Sequence, residues 1–112
     1  MEAKKKSDPV AALSLEPAVI DALSQVYDPE IPVNIWELGL IYDIRIDSKN
    51  RVEIDMTLTA PGCPAAQALP VEVDQKVREV PGVQDVYVEV VWEPAWTTDR
   101  MSEAAKLQLG MF

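Results

Sequence analysis

Two blocks of strict alternation constrain this chain more than any other feature. In the first, Leu40, Tyr42, Ile44 and Ile46 alternate with Ile41, Asp43 and Arg45. Four polar residues, Asp47-Ser48-Lys49-Asn50, intervene before Val52, Ile54, Met56 and Leu58 alternate with Glu53, Asp55 and Thr57. Successive strand side chains point to opposite faces, so this pattern predicts an antiparallel hairpin with one buried face. The second block places Val86, Val88, Val90 and Trp92 on one face of a third strand. Between the blocks, Ala66, Leu69, Val73, Val77 and Val80 lie near one helical face, and Pro81-Gly82 stops that helix. Pro70 either kinks the helix or marks where its regular part begins. A strand–helix–strand unit of this kind makes the third strand parallel to the second, through a right-handed crossover.

The flanks add helices. Ser14 suits an N-cap, with Glu16 and Pro17 in the first turn. Val19, Ile20, Leu23, Val26 and Tyr27 then form one apolar face, and Asp28-Pro29-Glu30-Ile31-Pro32 ends the helix. Residues 34–39 suit a single helical turn around Ile35, Trp36 and Leu38. Residues 93–100 read as irregular, and a short helix is expected from Ser102 to Leu109 with Gly110 as its stop. The predicted fold is α+β: a three-stranded mixed sheet, one antiparallel hairpin plus one parallel crossover strand, packed on one face by two helices, with a short C-terminal helix. The pattern leaves strand order open. Residues 1–12 are expected to form a flexible N-terminal tail and residues 13–112 a single domain, a size one core can organise.

Composition narrows the chemistry. The net charge is −9, and outside the Lys4-Lys5-Lys6 run residues 7–112 carry 7 basic and 18 acidic side chains, a net −11. Such a body repels phosphate backbones, so no nucleic-acid partner is expected. No apolar run approaches the ~20 residues that span a bilayer, so no membrane partner is expected, and the N-terminus lacks a signal-peptide core. With one cysteine no internal disulfide can form, which suits a reducing, cytoplasmic location. The chain has no histidine, which excludes Ser-His-Asp and Cys-His catalysis and most zinc sites. It contains neither a P-loop nor a GxGxxG fingerprint.

Four places could carry chemistry. In Pro61-Gly62-Cys63-Pro64, Gly62 permits close backbone approach and Pro64 suits a first helical position, which puts Cys63 near a helix N-cap. There the free N–H groups and helix dipole would lower the thiol pKa and favour the thiolate. The alternative is a buried structural cysteine. Asp28 and Glu30 flank Pro29 and could ligate a cation or hold a partner, whereas Asp28 could equally cap the following turn. Thr57 and Thr59 end the second strand just before Cys63, where a hydroxyl could support a cysteine-bound species, although exposed strand threonine is the commoner reading. In Trp92-Glu93-Pro94-Ala95-Trp96, Pro94 breaks the strand and Trp92 is expected in the core. Trp96 either packs over the sheet or, with Pro94, presents a surface to a partner.

Taken together these motifs resemble the SufT family of small iron–sulfur cluster assembly proteins. The run from Asp28-Pro29-Glu30 through Trp36-Glu37-Leu38-Gly39-Leu40-Ile41-Tyr42 looks like the family's opening signature. Met56-Thr57-Leu58-Thr59 with Pro61-Gly62-Cys63-Pro64, Val80-Pro81-Gly82-Val83, Trp92-Glu93-Pro94-Ala95-Trp96-Thr97 and the ending Arg100 to Lys106 follow in the same order. The wider superfamily includes the eukaryotic cytosolic cluster-targeting factor and PaaD of phenylacetate degradation. The resemblance implies an assembly-type α/β fold, with Cys63 as the functional cysteine and Asp28, Glu30 and Thr59 from its accompanying motifs. Ala95 stands where family members often carry a second proline. The cysteine-bearing C-terminal extension of PaaD is absent, which ranks that role lower.

The resemblance further implies an accessory, non-enzymatic factor that helps transfer or target clusters to acceptor apoproteins. Its partners would be iron–sulfur scaffold or carrier proteins and those acceptors. A stable cluster takes about four thiolates, and one chain offers one. Thus Cys63 is expected to act as a transient cluster or partner ligand, with no tightly bound cofactor. An exposed third-strand edge could pair two chains into a homodimer. Two other classes are a thiol redox sensor, which here lacks a histidine base and a resolving cysteine, and a purely structural adaptor.

Overall fold

The computed structural model describes residues 9–29, 31–59 and 66–110. The elements run α1 (Pro9–Leu23), α2 (Ile35–Leu38), β1 (Ile41–Ile46), β2 (Arg51–Met56), a 3₁₀ turn (Ala66–Ala68), α3 (Leu69–Arg78), β3 (Asp85–Val90), a second 3₁₀ turn (Thr98–Arg100) and α4 (Glu103–Gln108). The sheet order is β1-β2-β3, with β1 antiparallel and β3 parallel to β2. This is the expected α+β mixed sheet, with β2 in the centre. Helix α1 lies against β1, α3 lies against β3, and the two helices touch, so both cover one face. Leu15, Val19 and Leu23 of α1 meet Leu69, Val73 and Val77 of α3 over Ile46, Val52, Ile54 and Met56.

Several boundaries differ from expectation. Helix α1 begins at Pro9, so residues 9–12 are helical rather than tail, and Ser14 lies inside the helix instead of capping it. Proline suits a first turn and the following Val-Ala-Ala-Leu run favours helix. The helix ends at Leu23, well before the Asp28-Pro29 step, where the Ser24 hydroxyl donates to the Ile20 carbonyl at 2.9 Å. Tyr27, expected on the buried helical face, is 56% exposed and forms a β-bridge to Asn34. Pro70 sits at the start of α3, where its missing N–H costs no helical bond. The N-cap of α3 is therefore Ala68, five residues after Cys63. Trp92 lies beyond β3 and is 47% exposed, not in the core.

The hairpin also departs from simple alternation. Ile41 pairs with Met56 but Asp43 pairs with Asp55, so Tyr42 is an extra residue in a β-bulge. The bulge brings Ile41 rather than Tyr42 opposite the core residue Met56. On the helix-free face the register sets Asp43 directly against Asp55, a repulsive arrangement. Arg45 resolves it. Its guanidinium donates to both Asp55 oxygens at 3.0 and 3.1 Å, to Asp43 at 2.7 Å and to Glu53 at 3.2 Å. The hydrogen bonds that Arg45 donates to Asp55, against the opposing effect of burial, lead the contacts that raise the Arg45 pKa.

At the turn, Asp47 Oδ1 accepts from the N–H groups of Lys49 and Arg51, and Asn50 takes a left-handed conformation (φ 61°) that asparagine tolerates. Burial disfavours the Asp47 carboxylate, but hydrogen bonds from Arg51 and Lys49 outweigh it and hold the carboxyl below the usual range. Stability from such a group is present above the unfolded pKa and is lost as pH falls through the folded one. Asp47→Asn is expected to flatten the decline of urea midpoints below about pH 4.

Gly39 joins α2 to β1. Asn34 caps α2 by accepting from Glu37 N–H at 2.9 Å, and Gly39 closes it with φ 77°. A Cβ on Gly39 would overlap the backbone carbonyl of Arg100. Gly39→Ala is expected to destabilise the fold by about 2 kcal/mol or more, measured by chemical denaturation.

Candidate functional site

The end of β2 is where the chain gathers its unusual residues. Beyond Met56, Thr57 N–H donates to Leu40 O at 2.8 Å, which draws the strand end toward α2. Val91 N–H donates to Met56 O at 2.8 Å, so β3 pairs as far as β2 does and then breaks away. The chain crosses back as an irregular strap. Along it Trp96 Nε1–H donates to Leu38 O at 2.7 Å, and Tyr42 O–H donates to Pro94 O at 2.7 Å. Further on, Ser102 N–H donates to Glu37 O at 2.8 Å and its hydroxyl donates to Glu37 Oε1 at 2.6 Å.

Strap and strand end enclose an open, largely apolar groove of ≈ 430 Å³ lined by Thr57, Leu58, Thr59, Trp92, Ala95 and Trp96. Three of the residues singled out from sequence, Thr57, Thr59 and Trp96, thus share one site. Thr57 is not the exposed strand threonine expected; it is 1% exposed. Trp96 packs against the core while facing the groove. Pro94 lines a neighbouring hollow with Gly39, Ile41, Tyr42, Asp99 and Arg100. Asp28 is not among the groove residues. It is 5% exposed, and its Oδ1 accepts from Ile31 N–H at 3.0 Å, the turn-capping role.

Glu30, Gly62 and Cys63 lie outside the described residues. Thr59 is the last described residue before the 60–65 segment that carries Cys63, so the groove adjoins that segment along the chain. Among the described residues no group of three or more His, Cys, Asp or Glu could hold a metal ion. None of the described helices is long and apolar enough to cross a membrane.

The model of the iron–sulfur cluster assembly protein family matches residues 16–90. The chain belongs to that family. A Porphyromonas gingivalis Fe-S protein maturation auxiliary factor is 47% identical over 98 residues, covering 88% of this chain and 93% of that one. The Fe-S protein maturation auxiliary factor SufT of Staphylococcus aureus is 42% identical over 86 residues, or 77% of this chain and 98% of SufT. The crystal structure of a Bacillus anthracis domain of unknown function, DUF59, superposes with a TM-score of 0.85 at 38% identity, covering 94% of this chain and all of that one. The groove of this assembly-family member is thus built by the family's domain together with the strap beyond residue 90.

Sequence reasoning gave Tyr42 and Leu58 no part in this region and expected Trp92 elsewhere, while it named Ala95 only within the Trp92-to-Trp96 cluster. The signal for Tyr42 was hidden because a bulge preserves the look of alternation while reversing its sense. The two indoles differ in burial and so in expected cost. Trp96→Ala should lower stability by about 3 kcal/mol, whereas Trp92→Ala should cost under about 1 kcal/mol, compared by urea denaturation.

Proposed function

We propose that this protein is an accessory factor in iron–sulfur cluster assembly that helps transfer or target clusters to acceptor apoproteins, with Cys63 as a transient ligand to the cluster or to a partner. One observation carries the reading. In a member of this family, the groove of Thr57, Thr59 and the two indoles is lined by Thr59, the residue that precedes in sequence the segment holding the chain's only cysteine.

The cluster is cargo in this reading, not a resident group. A single thiolate falls short of the roughly four that hold a stable cluster, so further ligands come from partners or external thiols. Release to an acceptor is correspondingly easy. Glu30 remains a candidate additional ligand, while Asp28 contributes by shaping the loop through its bond to Ile31. The hydroxyls of Thr57 and Thr59 would support a species bound at Cys63. Partners are cluster scaffolds or carriers on one side and acceptor apoproteins on the other; the chain itself catalyses no covalent turnover.

Anaerobic transfer from a loaded carrier to an apo acceptor tests this. Wild type should accelerate transfer, and Cys63→Ala, folded normally by circular dichroism, should return the rate to that without protein. Equal acceleration by both would replace thiol chemistry with docking alone, and no acceleration by wild type would overturn the role in delivery.

A further inference from the structure

The strap supplies three of the six residues that line the groove, Trp92, Ala95 and Trp96. Its attachment is sparse. At one end Val91 still pairs with Met56; at the other, Arg100 N–H donates to Thr97 O at 3.0 Å. Between them, among the described residues, no backbone–backbone hydrogen bond ties residues 92–96 to the rest of the domain. Two side chains hold that stretch instead, through Trp96 Nε1–H to Leu38 O and Tyr42 O–H to Pro94 O. Trp96 is itself part of the groove wall. Tyr42 is the hold that comes from outside it.

The placement of Tyr42 is a consequence of the fold. It is the extra residue of the β1 bulge, and bulges re-aim side chains. The Arg100 guanidinium lies 4.5 Å from the centre of its ring, a cation–π arrangement that restrains the ring. Arg100 in turn is seated by its backbone against Gly39, where no larger residue fits. The hydroxyl is therefore presented from a fixed ring to the middle of the strap.

We propose that Tyr42 is a positioning residue that sets the strap against the end of β2 and so fixes the groove in the form that takes part in cluster delivery. This rests on the function proposed above. Without the Tyr42 bond the strap samples other positions, and a partner binds only the fraction of molecules that are correctly arranged. The cost then falls on apparent affinity. The maximal rate is kept, because Tyr42 lies outside the groove lining.

Tyr42→Phe tests this, since it keeps the ring beneath Arg100 and removes only the hydroxyl. Hydrogen exchange of the Trp96 indole N–H, the strap's donor to Leu38 O, should speed up while the amides of β2 and β3 stay unchanged. In transfer assays the half-saturating concentration of loaded carrier should rise about fivefold at unchanged maximal rate, the equivalent of one hydrogen bond. Unchanged exchange in the strap would overturn the proposal. So would an unchanged half-saturating concentration, or a fall in maximal rate alone. If wild type itself failed to accelerate transfer, the delivery role would fall, and strap exchange alone would decide whether Tyr42 fixes the groove.

Discussion

The pairing of β2 along both edges is the constraint on which the rest of the domain depends. Every residue from Arg51 to Met56 pairs with β3, and β1 pairs with Val52 to Met56 on the other edge. A strand so held has no freedom to slip, because a one-residue shift would turn Val52, Ile54 and Met56 out of the core. Its fixed register brings Asp43 and Asp55 together and makes Arg45 necessary between them. A buried ion pair of this kind is weak evidence for net stability. Its clearer effect is on register, since only this alignment gives Arg45 all three carboxylates.

The same strand delivers the site. Past the Thr57 bond to Leu40 the pairing stops, and the chain leaves the sheet through Leu58 and Thr59, which precede the cysteine segment in sequence, while β3 releases the strap on the other side. The groove is the space between two chains that have just ceased to be a sheet. Its far wall is placed by the α2–Gly39–β1 junction, which receives the Trp96 indole, the Arg100 backbone and Ser102 within a few residues. That junction therefore couples core packing to site geometry. A change at Gly39 is a change in the groove even though glycine contributes no side chain to it.

This division of labour suits the delivery role proposed above. The rigid part is the sheet with its two covering helices. The strap hangs on a few side-chain bonds, and regions held in this way open more readily than core strands. The acidic body adds solubility and discourages nucleic-acid contact without specifying a partner.

Much of the architecture was legible in the residues alone. Period-two blocks named the strands, the Pro-Gly and Gly punctuation ended the helices, and the crossover rule made β3 parallel to β2. Ser102, read as the start of the last helix, caps α4 by accepting from Ala105 N–H. Local interactions decide such features, so they are written in local sequence. The start of α1, the bulge at Tyr42 and the exposure of Trp92 were not legible. Each depends on which surface a distant segment covers, and no window of residues records that. The convergence of Thr57, Thr59 and Trp96 belongs to the same class. The sequence by itself determined the element types, the lone thiol and the family; only the tertiary structure decided which residues share the groove and what holds its wall, because that outcome is set by contacts between segments some 50 residues apart, such as Tyr42 with Pro94.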